Sequence, residues 1–328
     1  MPELPEVEII RTGLSKLLPG QKISSVKSNW PKSFPNAKAD VDKFLIGAKI
    51  LGVRRRAKVL IVDLDTDYSL LIHLKMTGQL VFVAQTQEAR NSKPETRNKS
   101  EIQRNEISNS LGFRNSDFGF AKSDELRFGA GHPTNSLVGK LPDKSTRVIF
   151  DLSDAKLFFN DQRKFGWVRL VPTLEIGNID FFKKLGPEPL KADFSPEKFA
   201  ERIRKRPNSM IKPVLMDQSV IAGVGNIYAD EALWGAKIHP QTRVNKLDDM
   251  QLKKLFKELR YVLKLSIQKG GSTDKNYIDA EGKKGSYLSF ARVFRRQNLP
   301  CPRCGSTIVK TTVMGRGTHT CPTCQIQV

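Results

Sequence analysis

No stretch of the chain approaches the run of roughly 20 apolar residues that a membrane helix needs. The opening Met1-Pro2-Glu3-Leu4-Pro5-Glu6 has neither the basic segment nor the apolar core of a signal peptide. Both absences point to the cytoplasm. Cysteine is scarce: four residues, all beyond position 300. Two disulfides could be built from them, but a cytoplasmic compartment argues against that. Acidic residues are also few. Against 34 Asp and Glu stand 55 Lys and Arg, a net charge of +21 with a pI of about 9.9. Such an imbalance attracts polyanions, DNA or RNA first, and a ribosome-associated or merely basic surface is the plainer alternative.

What is present suffices for more than one core. At 328 residues and 39% hydrophobic, the chain fits two domains. Val7, Ile10, Leu14 and Leu17 recur at helical spacing over residues 6–18, and Pro19-Gly20 stops the run. Short β-rich runs follow at Lys49–Val53, Val59–Asp63, Leu70–Leu74, Arg147–Asp151 and Lys156–Phe159, as in a sandwich or barrel. Residues 84–143 interrupt them with Asn, Ser, Arg, Glu and Gly. This reads as a long, partly disordered loop insertion, solvated or serving as an extra DNA-binding arm. Leu185-Gly-Pro-Glu-Pro-Leu190 reads as an interdomain linker. Helical runs are expected near 196–205, 209–216, 226–235 and 247–269, followed by a Gly, Lys and Ser-rich loop over 270–286.

Cys301-Pro-Arg-Cys304 and Cys321-Pro-Thr-Cys324 are two C-x-x-C pairs with 16 residues between the inner cysteines. Each pair fits a tight turn that points two thiolates at one metal, and together they complete a tetrahedral Zn²⁺ site. A redox pair would need only one of them. Four thiolates leave no water position, so the zinc is structural. The hairpin between the pairs carries Lys310, Arg316 and His319, and its approach carries Arg292, Arg295 and Arg296, a basic set suited to phosphates.

Gly223-Val-Gly-Asn226 opens a helix. Exposed N–H groups at a helix start can bind phosphate, with Asn226 adding a donor, although an ordinary helical corner has the same pattern. Pro2 to Glu8 crowds Glu3, Glu6 and Glu8 into a basic protein's first residues. Acids in a first helical turn suit the helix dipole, which explains Glu6 and Glu8 but does not require Pro2 or Glu3.

These segments occur in a telling order. The Met-Pro-Glu-Leu-Pro-Glu-Val-Glu start, Arg54-Arg-Arg-Ala-Lys58, His73-Leu-Lys-Met-Thr-Gly78, Leu185–Leu190, Gly223-Val-Gly-Asn-Ile-Tyr228 and the four-cysteine finger run nearly end to end. Together they resemble the formamidopyrimidine-DNA glycosylase family, bifunctional DNA glycosylase/AP lyases of the bacterial type with a zinc finger. Leu4 favours this branch over the related endonuclease VIII branch, which typically has glycine there.

The resemblance implies an α+β protein with a β-sandwich N-terminal domain and flanking helices over 1–184, interrupted by the 84–143 insertion. After the 185–190 linker come a helix–two-turn–helix domain over 191–290 and a zinc finger over 291–328, with DNA in a basic cleft between the domains. It implies a monomer acting on double-stranded DNA that holds a damaged base, with removal of Met1 leaving Pro2 as a free amine. Pro2 would be the nucleophile and Glu3 the proton-handling residue, with Glu6 supporting the site. Lys58 would contact phosphate and act in β-elimination, and Arg316 would do so in δ-elimination. Met76, Arg163 and Phe165 match the wedge that fills the space left by an extruded base. Asn226 would bind the DNA backbone. Tyr228 completes the Gly-x-Gly-Asn-x-Tyr pattern among the DNA-binding candidates, and Lys212 is a phosphate candidate that reads more readily as a solvated surface lysine.

Two departures stand out. Gln162 and Lys164 replace the family's common proline and arginine, and Lys144-Ser-Thr-Arg147 lacks a histidine often found there. In the loop over 270–286, Ser272, Thr273 and Tyr277 are candidate contacts to the extruded base. Same-fold excision of oxidised pyrimidines and a non-catalytic zinc-containing DNA-binding protein remain the competing readings.

Overall fold

A computed structural model describes residues 2–85, 125–131, 135–272 and 286–326. Met1, most of the 84–143 insertion, Thr273 and Tyr277 lie outside the described residues. The chain forms two compact units. Of the described residues, one unit holds Pro2 and those from 7 to 176; the other holds residues 3–6, 177–272 and 286–326.

In the first unit, helix α1 (Leu4–Leu17) turns Val7, Ile10, Leu14 and Leu17 inward, as their spacing requires. Short helix α2 is Lys38–Phe44. The strands are β1 (Ile23–Ser28), β2 (Ile50–Arg56), β3 (Val59–Leu64), β4 (Tyr68–His73), β5 (Gly78–Gln85), β6 (Glu125–Gly131), β7 (Thr146–Leu152), β8 (Ala155–Asp161) and β9 (Trp167–Pro172). They make two antiparallel sheets, ordered β1-β7-β8-β5-β6 and β2-β3-β4-β9. Phe82, Phe150 and Phe159 from the first share one core with Leu60, Ile72 and Val168 from the second, and with α1. A core filled from two facing sheets is a sandwich.

All five strands read from the sequence are present. The range 84–143 is not loop throughout. Its end supplies β6, which pairs with β5 from Gln79 to Gln85 and buries Phe128. Glycine at 129 and 131 masked the alternation that identifies a strand.

In the second unit, α3 (Pro196–Arg204), α4 (Ile211–Met216), α5 (Asn226–Ala236) and α6 (Asp249–Gln268) match the expected helices closely. Ser195 caps α3, and Asp248 with Gln251 forms a capping box at α6. α5 is buried from Tyr228 to Ala236, so apolar side chains surround it and its two acids, Asp230 and Glu231, are buried with them. Leu185–Leu190 is no free linker. Gly186 N–H donates to Gln218 O, Pro187 O accepts from Ala222 N–H, and Glu188 is buried. Hairpin strands β10 (Val309–Val313) and β11 (Arg316–Thr320) close the chain. Their two-residue turn, Met314-Gly315, has positive φ at both positions, as hairpin twist favours. Among the described residues, no helix is long and apolar enough to cross a membrane.

Candidate active site

The first residues form a polar lattice within the second unit. Glu3 precedes α1, and its N–H donates to Glu6 Oε2 at 2.9 Å, the return half of a capping box. Leu4 N–H donates to Gly223 O at 3.0 Å. Glu3 Oε1 accepts from Ile227 N–H at 3.1 Å, in the first turn of α5. The anion at this helix start is thus the protein's own carboxylate, where the glycine turn alone suggested a phosphate.

Both glycines of that turn make room for the amino terminus. Gly223 has φ +94°, and a Cβ there would meet the Leu4 side chain at 2.7 Å. At Gly225 a Cβ would come within 2.3 Å of the Glu3 carboxyl carbon.

Glu6 Oε1 accepts from Tyr228 Oη–H at 2.6 Å and from Ser272 N–H and Oγ–H at 2.9 Å each. Burial, then the charges of Glu6 and Glu3, push the Tyr228 hydroxyl well above its usual pKa, so it remains a donor. Ser266 Oγ, 2.5 Å away, therefore donates to the Tyr228 oxygen. Tyr228 is fully buried, which corrects its placement among DNA-contacting residues: it fixes Glu6.

Lys212 also departs from expectation. It is 1% exposed, not a solvated surface lysine. Its Nζ lies 2.7 Å from Asp230 Oδ1 and donates to Thr318 Oγ1 at 2.7 Å and Gly317 O at 3.2 Å. Asp230 Oδ2 accepts His319 N–H at 3.0 Å, and Asn226 Nδ2 donates to Gly317 O at 2.9 Å. α4 and α5 together therefore grip β11 and fix the hairpin that presents exposed Arg316. His319 is buried in this grip rather than offered to phosphate. Arg292 is half-buried, paired with Glu231 and Glu258 and lying over the Trp234 ring. Asp230 and Glu231 were missed in the sequence because acids inside a helical run look like solvated positions.

The four cysteines meet at one point. Their sulfurs all lie within 4.8 Å of one another, with 3.9 Å for Cys301–Cys324, 3.4 Å for Cys304–Cys321 and 3.5 Å for Cys304–Cys324. A tetrahedron of Zn–S bonds of about 2.3 Å separates its sulfurs by about 3.8 Å. The donor set fits a structural zinc, which leaves no coordination position for water.

In the first unit, Lys58 follows Ala57 in the β2–β3 turn, where Ala57 takes φ +53°. Arg55 Nη1 donates to Ala57 O, and Arg55 pairs with Glu8 at 2.7 Å. Lys58 is 6% exposed. Burial, then the charges of Lys75 and Lys58, lower the pKa of His73 to about 3, so its ring is neutral near neutrality; its Nδ1 accepts from Lys75 N–H.

Met76, Arg163 and Phe165 project from two turns tied by one buried acid. Asp161 Oδ1 bonds Thr77 Oγ1 and accepts Arg163 N–H, while Oδ2 accepts Gly166 N–H at 2.6 Å. Met76 is 39% exposed and Phe165 59%, with the Arg163 guanidinium 5.2 Å over the Phe165 ring. The structure thus groups all three residues and identifies Asp161 as their brace, a role its place in the sequence did not signal.

Comparison with known proteins agrees with this geometry. Family models match residues 1–168 as the formamidopyrimidine-DNA glycosylase N-terminal domain, 185–277 as its H2TH domain and 298–326 as the zinc finger found in FPG and IleRS. The formamidopyrimidine-DNA glycosylase of Pelotomaculum thermopropionicum is 36% identical over 99% of both chains. A complex between Lactococcus lactis Fpg and abasic-site DNA superposes with a TM-score of 0.76 at 32% identity, covering 99% of this chain and 100% of that one. MutM in complex with carbocyclic 8-oxo-G DNA gives the same score, identity and coverage. The chain belongs to the formamidopyrimidine-DNA glycosylase family.

Proposed function

We propose that the chain excises oxidised purines, 8-oxoguanine and formamidopyrimidines, from double-stranded DNA and then cleaves the strand at the resulting abasic site. Pro2 N, freed by removal of Met1, attacks C1′ and the bond to the damaged base breaks, the base leaving with a proton. The sugar ring opens as Glu3, which first takes up a proton from solvent, delivers it to the ring oxygen. The product is an iminium, positively charged because proline is a secondary amine. It draws electrons from the C2′–H bond. Loss of that proton expels the 3′ phosphate in β-elimination, a second elimination expels the 5′ phosphate, and water hydrolyses the iminium to free Pro2.

The observation that carries this reading is the fixation of Glu3, the residue next to Pro2, at the start of α5. Its carboxylate is held by a backbone amide and accommodated by Gly225. Lys58 serves the phosphate of the damaged nucleotide and β-elimination; Arg316 serves δ-elimination. Asn226 uses one amide hydrogen on Gly317 O and keeps the other for the DNA backbone. Met76, Arg163 and Phe165 fill the duplex after the base leaves it, Arg163 facing the orphaned cytosine. The enzyme works as a monomer in the bacterial cytoplasm, at the nucleoid.

Parallel excision assays on duplexes carrying 8-oxoguanine, a formamidopyrimidine or an oxidised pyrimidine test the substrate class. The two purine lesions should be released faster. Preferential release of the pyrimidine would overturn the assignment.

A further inference from the structure

The exposed face of α6 has no part in the chemistry above, yet its composition is not that of a merely solvated helix. Met250, Lys253, Lys254, Lys257, Tyr261 and Lys264 recur at three- and four-residue steps and form one stripe. Leu252, Leu255, Leu259 and Leu263 occupy the opposite side, packed with α5 and α3. The stripe therefore faces away from α5, which carries Asn226 and receives Glu3.

Met250 is 79% exposed and Tyr261 52%. With Pro196 and the edge of Phe256 they line an open groove of about 730 Å³ bordered by the lysines. Arg260 lies 5.4 Å over the Phe256 ring and donates to Lys191 O, which fixes one wall. Glu197, engaged with Ser195, feels the charge of Lys253, and Asp249, one turn before Lys253 on α6, is paired with Arg204.

We propose that this groove docks an acidic segment of a partner protein that carries an apolar or aromatic anchor among its carboxylates. The carboxylates complement the lysine rim, and the anchor covers Met250, Phe256 and Tyr261. Duplex DNA fits the groove less well. From Leu252 onward the α6 amides are consumed within the helix and offer phosphates no N–H along most of the stripe, and a phosphate backbone supplies nothing to cover a thioether and a phenol ring.

The test uses the full-length, zinc-loaded protein and a fluorescein-labelled synthetic peptide of Asp and Glu residues around a central Leu-Trp pair. Anisotropy should report binding at low salt. Replacing Leu-Trp by Ser-Ser at constant charge should weaken it about tenfold. The paired variants Lys254→Glu with Lys257→Glu, and Met250→Ser with Tyr261→Ser, should each weaken it by about tenfold or more, with helical circular dichroism and affinity for an abasic-analogue duplex unchanged. Four results would overturn the proposal: no binding of the parent peptide; equal binding of the Ser-Ser peptide; binding indifferent to both variant pairs; or duplex affinity falling as far as peptide affinity, which would assign the stripe to DNA.

Discussion

The Glu3 carboxylate and the Ile227 amide are joined by a 3.1 Å hydrogen bond that spans 224 residues of sequence. It places an acid at the positive end of α5 and fixes the backbone immediately after Pro2. Gly225 makes the approach possible. Gly225→Ala should therefore displace Glu3 while leaving the helices intact. Base excision should fall by about 10²-fold or more, the scale of a lost general acid–base, with binding of an abasic-analogue duplex retained. Single-turnover kinetics beside a binding titration check this; normal excision by the variant would mean that Glu3 position does not limit the reaction.

Lys212 and Asp230 form a buried ion pair that also holds β11. Removing one partner leaves the other charged and buried. Lys212→Ala should cost about 3–5 kcal/mol in denaturant unfolding of the second unit. Strand cleavage should suffer with it, because Arg316 loses its support. A cost below about 1 kcal/mol would show that the site rehydrates freely.

The described core was largely legible in the sequence. Helical spacing gave α1, and short β-rich runs gave β2, β3, β4, β7 and β8. C-x-x-C spacing gave the metal cluster. The roles of Lys212, Tyr228 and His319 were not legible, because each is set by a partner far along the chain. Lys212 meets Thr318, and Tyr228 meets Glu6. No local periodicity encodes such pairs. The wedge residues came from resemblance to a family; Met76 alone reads as ordinary core.

His73 carries a pH consequence. Its folded pKa of about 3 lies below the ordinary histidine value, mainly through burial. The unfolded chain therefore binds a proton that the folded chain refuses as pH falls from about 6.5 toward 3. The stabilisation is complete above that window and is lost on descending through it, by up to about 1.4 kcal/mol per pH unit. Urea unfolding across the window should show this slope, and His73→Gln should flatten it. Equal slopes in both proteins would remove His73 from the account.

The zinc cluster makes a separate prediction. Cys301→Ser, or chelation, should loosen the β10–β11 hairpin and weaken DNA binding across sequences, leaving the N-terminal sandwich folded. Metal analysis should give one zinc per chain in the parent protein. Unchanged DNA affinity after metal loss would exclude Arg316 as a contact.

The central claim is that Pro2 is the nucleophile, and borohydride trapping tests it most directly. Protein whose intact mass shows Met1 removed should form a covalent adduct with an 8-oxoguanine duplex on reduction. The adduct should disappear in Pro2→Gly and in protein that retains Met1. No adduct from the processed protein, or an adduct undiminished in Pro2→Gly, would contradict the account.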